Sequence, residues 1–174
     1  MSTKVGIIGA GGMLQYHAAG FRAAGADIVA ICDVNETAAK SAASNLNVEH
    51  VFSDVADMLQ NLSDLDAVSV ITPNRFHKPL AIQLLEAGKH VFCEKPPGRN
   101  LEDIERMRDA EAANPGTKLM FGFNHRFHPG VMRAKSIIDS GRMGRIVALR
   151  GLYGKSGGKN FAQSWRACQE VASY

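Results

Sequence analysis

Short apolar runs alternate with longer amphipathic stretches along most of the chain. "KVGIIG" predicts a buried strand, since a continuous apolar run of this length suits a sheet covered on both faces. "GMLQYHAAGFRAAG" follows with Leu14, Ala18 and Phe21 near helical spacing, and Gly25 stands where a C-cap belongs. "ADIVAIC" predicts a second strand, and "NETAAKSAASNL" an alanine-rich helix capped by Asn35. "HVF" is a short third strand, followed by a helix over "SDVADMLQNL" that begins on Ser53. "DAVSVITP" and "KHVFCEKPP" are strands separated by the helix "RFHKPLAIQLLEAG", which Gly88 stops. "NLEDIERMRDAEAAN" is a helix whose Asn100 and Asp103 resemble a capping box, and "KLMFGFN" is one more strand. Beyond it, "PGVMRAKSIIDSGRMG" predicts a helix ending near Gly141, and "RIVALRGLYG" predicts another strand.

Strands that alternate with helices need crossover connections. The expected fold class is therefore α/β, a doubly wound parallel sheet with helices on both faces. Ligands on such sheets sit beyond the carboxyl ends of the strands, so the loops there carry the functional reading.

The first strand runs into "GAGGML", with Gly9, Gly11 and Leu14 at the three positions of G-x-G-x-x-G. Glycine lets backbone turn sharply and approach a pyrophosphate, and the helix start behind it presents free N–H groups. Leu14 departs from the Gly or Ala of the pattern, and a tight turn alone would also need glycine. The context raises the reading: a strand precedes, a helix follows, and Asp33 ends the next strand. Gly9, Gly11, Gly12, Met13 and Asp33 are thus candidates for holding a dinucleotide. Asp33 would accept from the adenosine ribose hydroxyls and repel a 2′-phosphate, so NAD is expected over NADP.

The fifth strand ends in "CEKPP", where Glu94 and Lys95 precede Pro96 and Pro97. Two prolines stop the ladder because neither has an N–H to donate. A lysine at a strand's carboxyl end is placed toward the cofactor crevice. Cys93 before it reads as a small buried apolar residue.

In this order, "VGIIGAGGM", "CDVN", "TPNRFH", "CEKPP" and "GFNHRFHP" resemble the Gfo/Idh/MocA family of oxidoreductases. The resemblance implies a Rossmann domain over residues 1–122, and over 123–174 the beginning of a second α/β domain that is incomplete here. It implies oxidation or reduction of a sugar, cyclitol or nucleotide-sugar with NAD or NADP. Lys95 would be the catalytic lysine, with Glu94 beside the nicotinamide ribose and a cis bond before Pro96. Thr72, Pro73, Asn74 and His77 would line the cofactor side of the cleft, the plainer alternative for His77 being that it caps or packs the following helix. Asn124 and Arg126 would meet substrate, or else satisfy backbone groups at the domain junction. Trp165 and Arg166 resemble a stretch near the sugar, while a core anchor explains the chain's one Trp equally well. The family also supplies an Asp-x-x-x-His pair on a second-domain helix; here no Asp follows Asp139 and no His follows His128. A chain of these 174 residues is accordingly expected to bind cofactor without turnover.

Composition narrows the rest. The three cysteines are an odd number without C-x-x-C, which disfavours a disulfide scaffold and a zinc site and fits a reducing cytoplasm. No signal peptide or bilayer-spanning run is evident, and no metal is expected. Residues 1–116 carry 10 Lys and Arg against 15 Asp and Glu, whereas 117–174 carry 10 against 2. The basic part is either a solvated face or a surface for acidic or phosphorylated substrates. Without interleaved aromatics it does not favour nucleic acid. A full-length enzyme of this kind is expected to be a homo-oligomer. Two other readings stay open: a non-catalytic NAD-binding or regulatory protein, and methyl transfer from S-adenosylmethionine. The second shares the glycine loop but leaves Glu94-Lys95-Pro96 unexplained.

Overall fold

The computed structural model describes residues 2–152, 154 and 167. Six strands form one parallel sheet: β1 (Lys4–Ile8), β2 (Asp27–Cys32), β3 (His50–Phe52), β4 (Ala67–Val70), β5 (His90–Cys93) and β6 (Leu119–Phe121). Their spatial order is β3-β2-β1-β4-β5-β6, and every ladder is parallel. Strand order therefore reverses between β1 and β4. The expected doubly wound α/β sheet is the fold observed.

Strand alternation sorts the core into two layers. Val5, Ile7, Ile28 and Ile31 pack with Leu14 and Ala18 of α1 (Leu14–Ala23) and Ala39, Ala42 and Ala43 of α2 (Glu36–Leu46). On the opposite face Val68, Val70, Val91 and Cys93 pack with Met58, Ala81, Leu84, Leu85 and Met107. These come from α3 (Val55–Asn61), α4 (His77–Glu86) and α5 (Leu101–Ala113). The alanines of α2 let that helix approach the sheet closely. Beneath Gly6, an added Cβ would meet Met58 Sδ at 3.3 Å.

The helix ends follow from their residues. Asn35 accepts from the Ala38 N–H and starts α2, as expected. Helix α3 is capped by Asp54, not Ser53: its carboxylate accepts from both Ala56 and Asp57 N–H, which a hydroxyl does less well. Asn100 accepts from the Asp103 N–H, but the reciprocal bond reaches past the cap to the Arg99 N–H. Gly25 and Gly88 adopt positive φ at the ends of α1 and α4.

After β6 the chain forms a 3₁₀ turn (Asn124–Phe127) and α6 (Pro129–Asp139), which Gly141 ends with φ +73°. The strand expected over 145–154 is not formed among the described residues. Val147, Leu149 and Leu152 are 83%, 80% and 86% exposed, and a strand without a neighbour has no ladder to hold it.

Candidate functional site

The reversal of strand order opens a cleft of about 700 Å³ at the carboxyl edge of the sheet. Its walls are the loops after β1, β2, β3 and β4. Gly9 begins the first loop with φ +110°, and a Cβ there would stand 3.0–3.1 Å from Ile71, including its backbone. Glycine is thus required for conformation and for space. Gly11 and Gly12 differ: an added Cβ would meet nothing within 4 Å. Their backbone faces open cleft, where a ligand can come close. Helix α1 starts behind them with no side-chain cap and no acidic residue in its first turn. Among the described residues no side chain caps its positive end, which suits an anion.

Asp33 joins the second loop to the first. Its Oδ2 accepts the Ala10 N–H at 2.7 Å, and its Oδ1 accepts the Asn35 N–H at 2.8 Å. Each oxygen keeps further lone pairs for outside donors. Val34 beside it is 92% exposed and offers a flat apolar surface. Across the cleft stand Thr72 and Pro73. The Thr72 hydroxyl is buried and has no partner among the described residues. An orphan donor in the wall, an open glycine cradle and an uncapped helix start together fit a dinucleotide.

The other exits lie beside this cleft. Asn74 is 5% exposed and begins a 3₁₀ turn (Asn74–Phe76). His77 is 1% exposed, so it stands behind the cleft wall and does not line it. Its Nε2 lies 2.8 Å from the Thr72 carbonyl and its Nδ1 2.8 Å from the Pro96 carbonyl. It thereby ties the loop after β4 to the loop after β5. The Lys95–Pro96 bond is cis, as the resemblance implies. Lys95 is exposed at the end of β5, and its backbone N–H donates to Glu94 Oε2 at 3.0 Å.

Glu94 belongs to a buried polar chain that the sequence did not disclose. His17, on α1, places Nε2 3.0 Å from Glu94 Oε1 and Nδ1 2.9 Å from Ser69 Oγ. Ser69 is fully buried on β4. Burial pushes the Glu94 carboxyl up, but hydrogen bonds from the His17 ring and the Lys95 N–H, with the Lys95 charge, hold it below its usual range. His17, Glu94 and Met13 line a second cleft of about 420 Å³ with Tyr16, Phe92 and Phe123. Met13 also lines the first cleft, so the two meet at the start of α1.

The remaining candidates are dispersed. Asn124 lines the second cleft, whereas Arg126 is exposed on the 3₁₀ turn that follows β6. Trp165 and Arg166 lie outside the described residues. Burial raises both described thiols, Cys32 to about 12 and Cys93 further still, so neither is a nucleophile near neutral pH. Among the described residues no three His, Cys, Asp or Glu side chains converge on a metal-sized point. No described helix is long and apolar enough to cross a membrane.

Comparison with known proteins agrees with this geometry. The sequence model of the Gfo/Idh/MocA family, an oxidoreductase family with an NAD-binding Rossmann fold, matches residues 3–123. An inositol 2-dehydrogenase of Corynebacterium glutamicum is 33% identical over 94% of this chain and 49% of its own length. A levoglucosan dehydrogenase of Pseudarthrobacter phenanthrenivorans is 35% identical over 97% and 46%. Among solved structures, scyllo-inositol dehydrogenase from Lactobacillus casei with bound NAD(H) and scyllo-inositol superposes with TM-score 0.76. It is 36% identical and is covered over 43% of its length, against 83% of this chain. WlbA dehydrogenase from Bordetella pertussis, in complex with NADH and UDP-GlcNAcA, gives TM-score 0.77 at 31% identity, over 83% of this chain and 44% of WlbA. The chain thus spans about half the length of the relatives it matches. The family model spans most of the chain, and the chain belongs to the Gfo/Idh/MocA oxidoreductase family, whose NAD-binding Rossmann domain it contains.

Proposed function

We propose that this chain forms the cofactor half of an NAD-dependent dehydrogenase acting on a hydroxyl or ketone of a sugar, cyclitol or nucleotide-sugar. The observation that carries the reading is the meeting of two clefts at Met13, one walled by Gly9–Gly12 and Asp33, the other by Glu94. The first cleft would take the adenosine half of the dinucleotide, with Asp33 accepting from its ribose hydroxyls. Gly11 and Gly12 would hold the pyrophosphate, and the Thr72 hydroxyl would be a further donor. Met13, Glu94 and Lys95 would hold the nicotinamide half. When bound, the nicotinamide supplies the hydride acceptor or donor.

The chain's own residues do the rest. Lys95 handles the proton of the reacting hydroxyl at its Nζ, and Glu94 fixes the backbone that presents it. General acid–base help of this kind is worth about 10²–10⁴-fold. Asn124, Arg126, Trp165 and Arg166 are candidates for contact with the substrate. The relatives named above act on inositol and levoglucosan or bind a UDP-sugar, which supports the substrate class. A polypeptide of only these 174 residues binds NAD without turnover, because the Asp-x-x-x-His pair has no counterpart in it. A longer form is a homo-oligomer.

The test has two arms. NADH fluorescence titration should give saturable binding to the purified chain. NADH absorbance with a panel of sugars, cyclitols and nucleotide-sugars should show no turnover. Absence of saturable binding would overturn the cofactor reading, and robust turnover would overturn the binding-only reading of this length.

A further inference from the structure

We propose that His17, backed by Ser69, is a positioning residue that locks the Glu94 carboxylate and, through it, the backbone of Lys95. The proposal deepens the functional reading above and rests on it for the role of Lys95.

The three side chains are largely sheltered, with His17 and Glu94 at the edge of the second cleft. The His17 and Glu94 side chains are 6% and 13% exposed, and Ser69 is fully buried. The His17 ring stands edge-on to Phe92, with centroids 5.4 Å apart, and is flanked by Phe21. These aromatics shelter the ring on its buried side, where polar atoms are paired within the protein. A carboxylate only accepts, so Nε2 must carry the hydrogen that reaches Glu94 Oε1. In the corresponding neutral tautomer Nδ1 accepts, and Ser69 Oγ, 2.9 Å away, supplies its O–H. Ser69 thereby selects the tautomer that His17 needs.

The second carboxylate oxygen completes the chain. Glu94 Oε2 accepts the Lys95 N–H at 3.0 Å, while the Glu94 N–H is held by the Val70 carbonyl at 2.9 Å. Gly122 allows this placement, since a Cβ there would come within 3.2 Å of Glu94 Oε1. One rotamer of Glu94 thus satisfies both ends. Without His17, burial would raise the carboxyl, and Oε2 would be free to leave the Lys95 N–H. Three elements are joined: α1 behind the glycine loop, the centre of β4 and the exit of β5.

The experiment uses isotopically labelled chain without cofactor. In the wild type, nitrogen shifts of the His17 ring should place a proton on Nε2; a bare Nε2 overturns the proposal, whatever the variants do. In His17→Phe, the Glu94 carboxyl carbon should titrate at least one pH unit higher, and the Lys95 amide should exchange at least tenfold faster. His17→Gln keeps an amide donor in reach and should restore most of both signals. Unchanged signals in a folded His17→Phe, or equal losses in both variants, overturn the proposal. Because no cofactor is present, these outcomes are independent of NAD titration. Failure of NAD binding alone would sink the functional reading and leave the positioning chain standing.

Discussion

Asp33 Oδ2 holds the Ala10 N–H at 2.7 Å, tying the acidic end of β2 to the glycine loop. The residue proposed to meet the ribose is therefore also part of the loop's frame. NAD should bind at least tenfold tighter than NADP, because the carboxylate repels a 2′-phosphate and neither Val34 nor Asn35 offers a cation. Asp33→Asn should weaken NAD and narrow the difference, since the amide still accepts from Ala10 but no longer carries charge. Paired calorimetric titrations decide it; tighter NADP binding by the wild type would overturn the assignment.

Gly9 and Gly11 make a contrasting pair. Gly9→Ala places a Cβ at positive φ against Ile71, so it should cost about 1–3 kcal/mol. At about 2–4 °C per kcal/mol for a chain of this size, melting should fall by several degrees. Gly11→Ala meets nothing within 4 Å, so its melting should stay within about one degree of wild type. Its NAD affinity should nevertheless fall at least tenfold, because the new methyl occupies the approach of the pyrophosphate. Equal melting losses in the two variants would contradict this division.

The strands, the helices and the glycine loop were legible because each is encoded locally, by period, cap or turn residue. The Gly9–Gly12 loop and Asp33 could be read because strand, turn and acidic residue follow one another within one βαβ unit. What was not legible is what separate elements do together. His17 lies 52 residues from Ser69 and 77 from Glu94, and on α1 it reads as part of the apolar stripe of Leu14 and Ala18. The available signal was Ser69, a lone polar residue inside the buried run "AVSV". His77 was read toward the cleft because it follows a loop that borders it. Its actual partners, Thr72 O and Pro96 O, come from two loops that only the sheet brings together. The missing strand over 145–154 shows the converse: local pattern suits a strand, but no neighbour completes it among the described residues.

Lys95 should separate binding from chemistry. Its side chain is exposed at the end of β5, so Lys95→Ala should leave the fold intact and change the NAD dissociation constant less than about threefold. Turnover can be followed in a chimera joining residues 1–123 to the second half of the Corynebacterium glutamicum inositol 2-dehydrogenase. There kcat should fall about 10²–10⁴-fold. A Lys95→Ala chimera with near-normal kcat would remove Lys95 from the chemistry.

Asp103 should make the chain's stability sensitive to acid. It is 7% exposed, forms an ion pair with Lys78 Nζ at 2.6 Å and accepts the Arg99 N–H at 3.0 Å. Gly98 lies against it, where an added Cβ would come within 2.6 Å of Asp103 Cβ. Burial pushes this carboxyl up, but Lys78 and the Arg99 N–H outweigh that and leave it below its ordinary 3.8. A carboxyl depressed in the folded state stabilises fully above its unfolded value, and that contribution is lost as pH falls through the folded value. Glu94 is depressed likewise from 4.5. Stability from these two groups should be flat above pH 4.5 plus about one unit and should decline steadily below pH 4.5. Asp103→Asn should lower stability near neutral pH by about 1–2 kcal/mol, since its oxygen still accepts from Arg99 but loses Lys78. Salt should shrink that difference, because the Lys78 side chain is 38% exposed and screened. Below pH 4 the two curves should converge, as the wild-type carboxyl takes up its proton and loses the same partner. Melting curves from pH 3 to 7 test this: curves that stay parallel down to pH 3 would show that Asp103 is not the group that titrates.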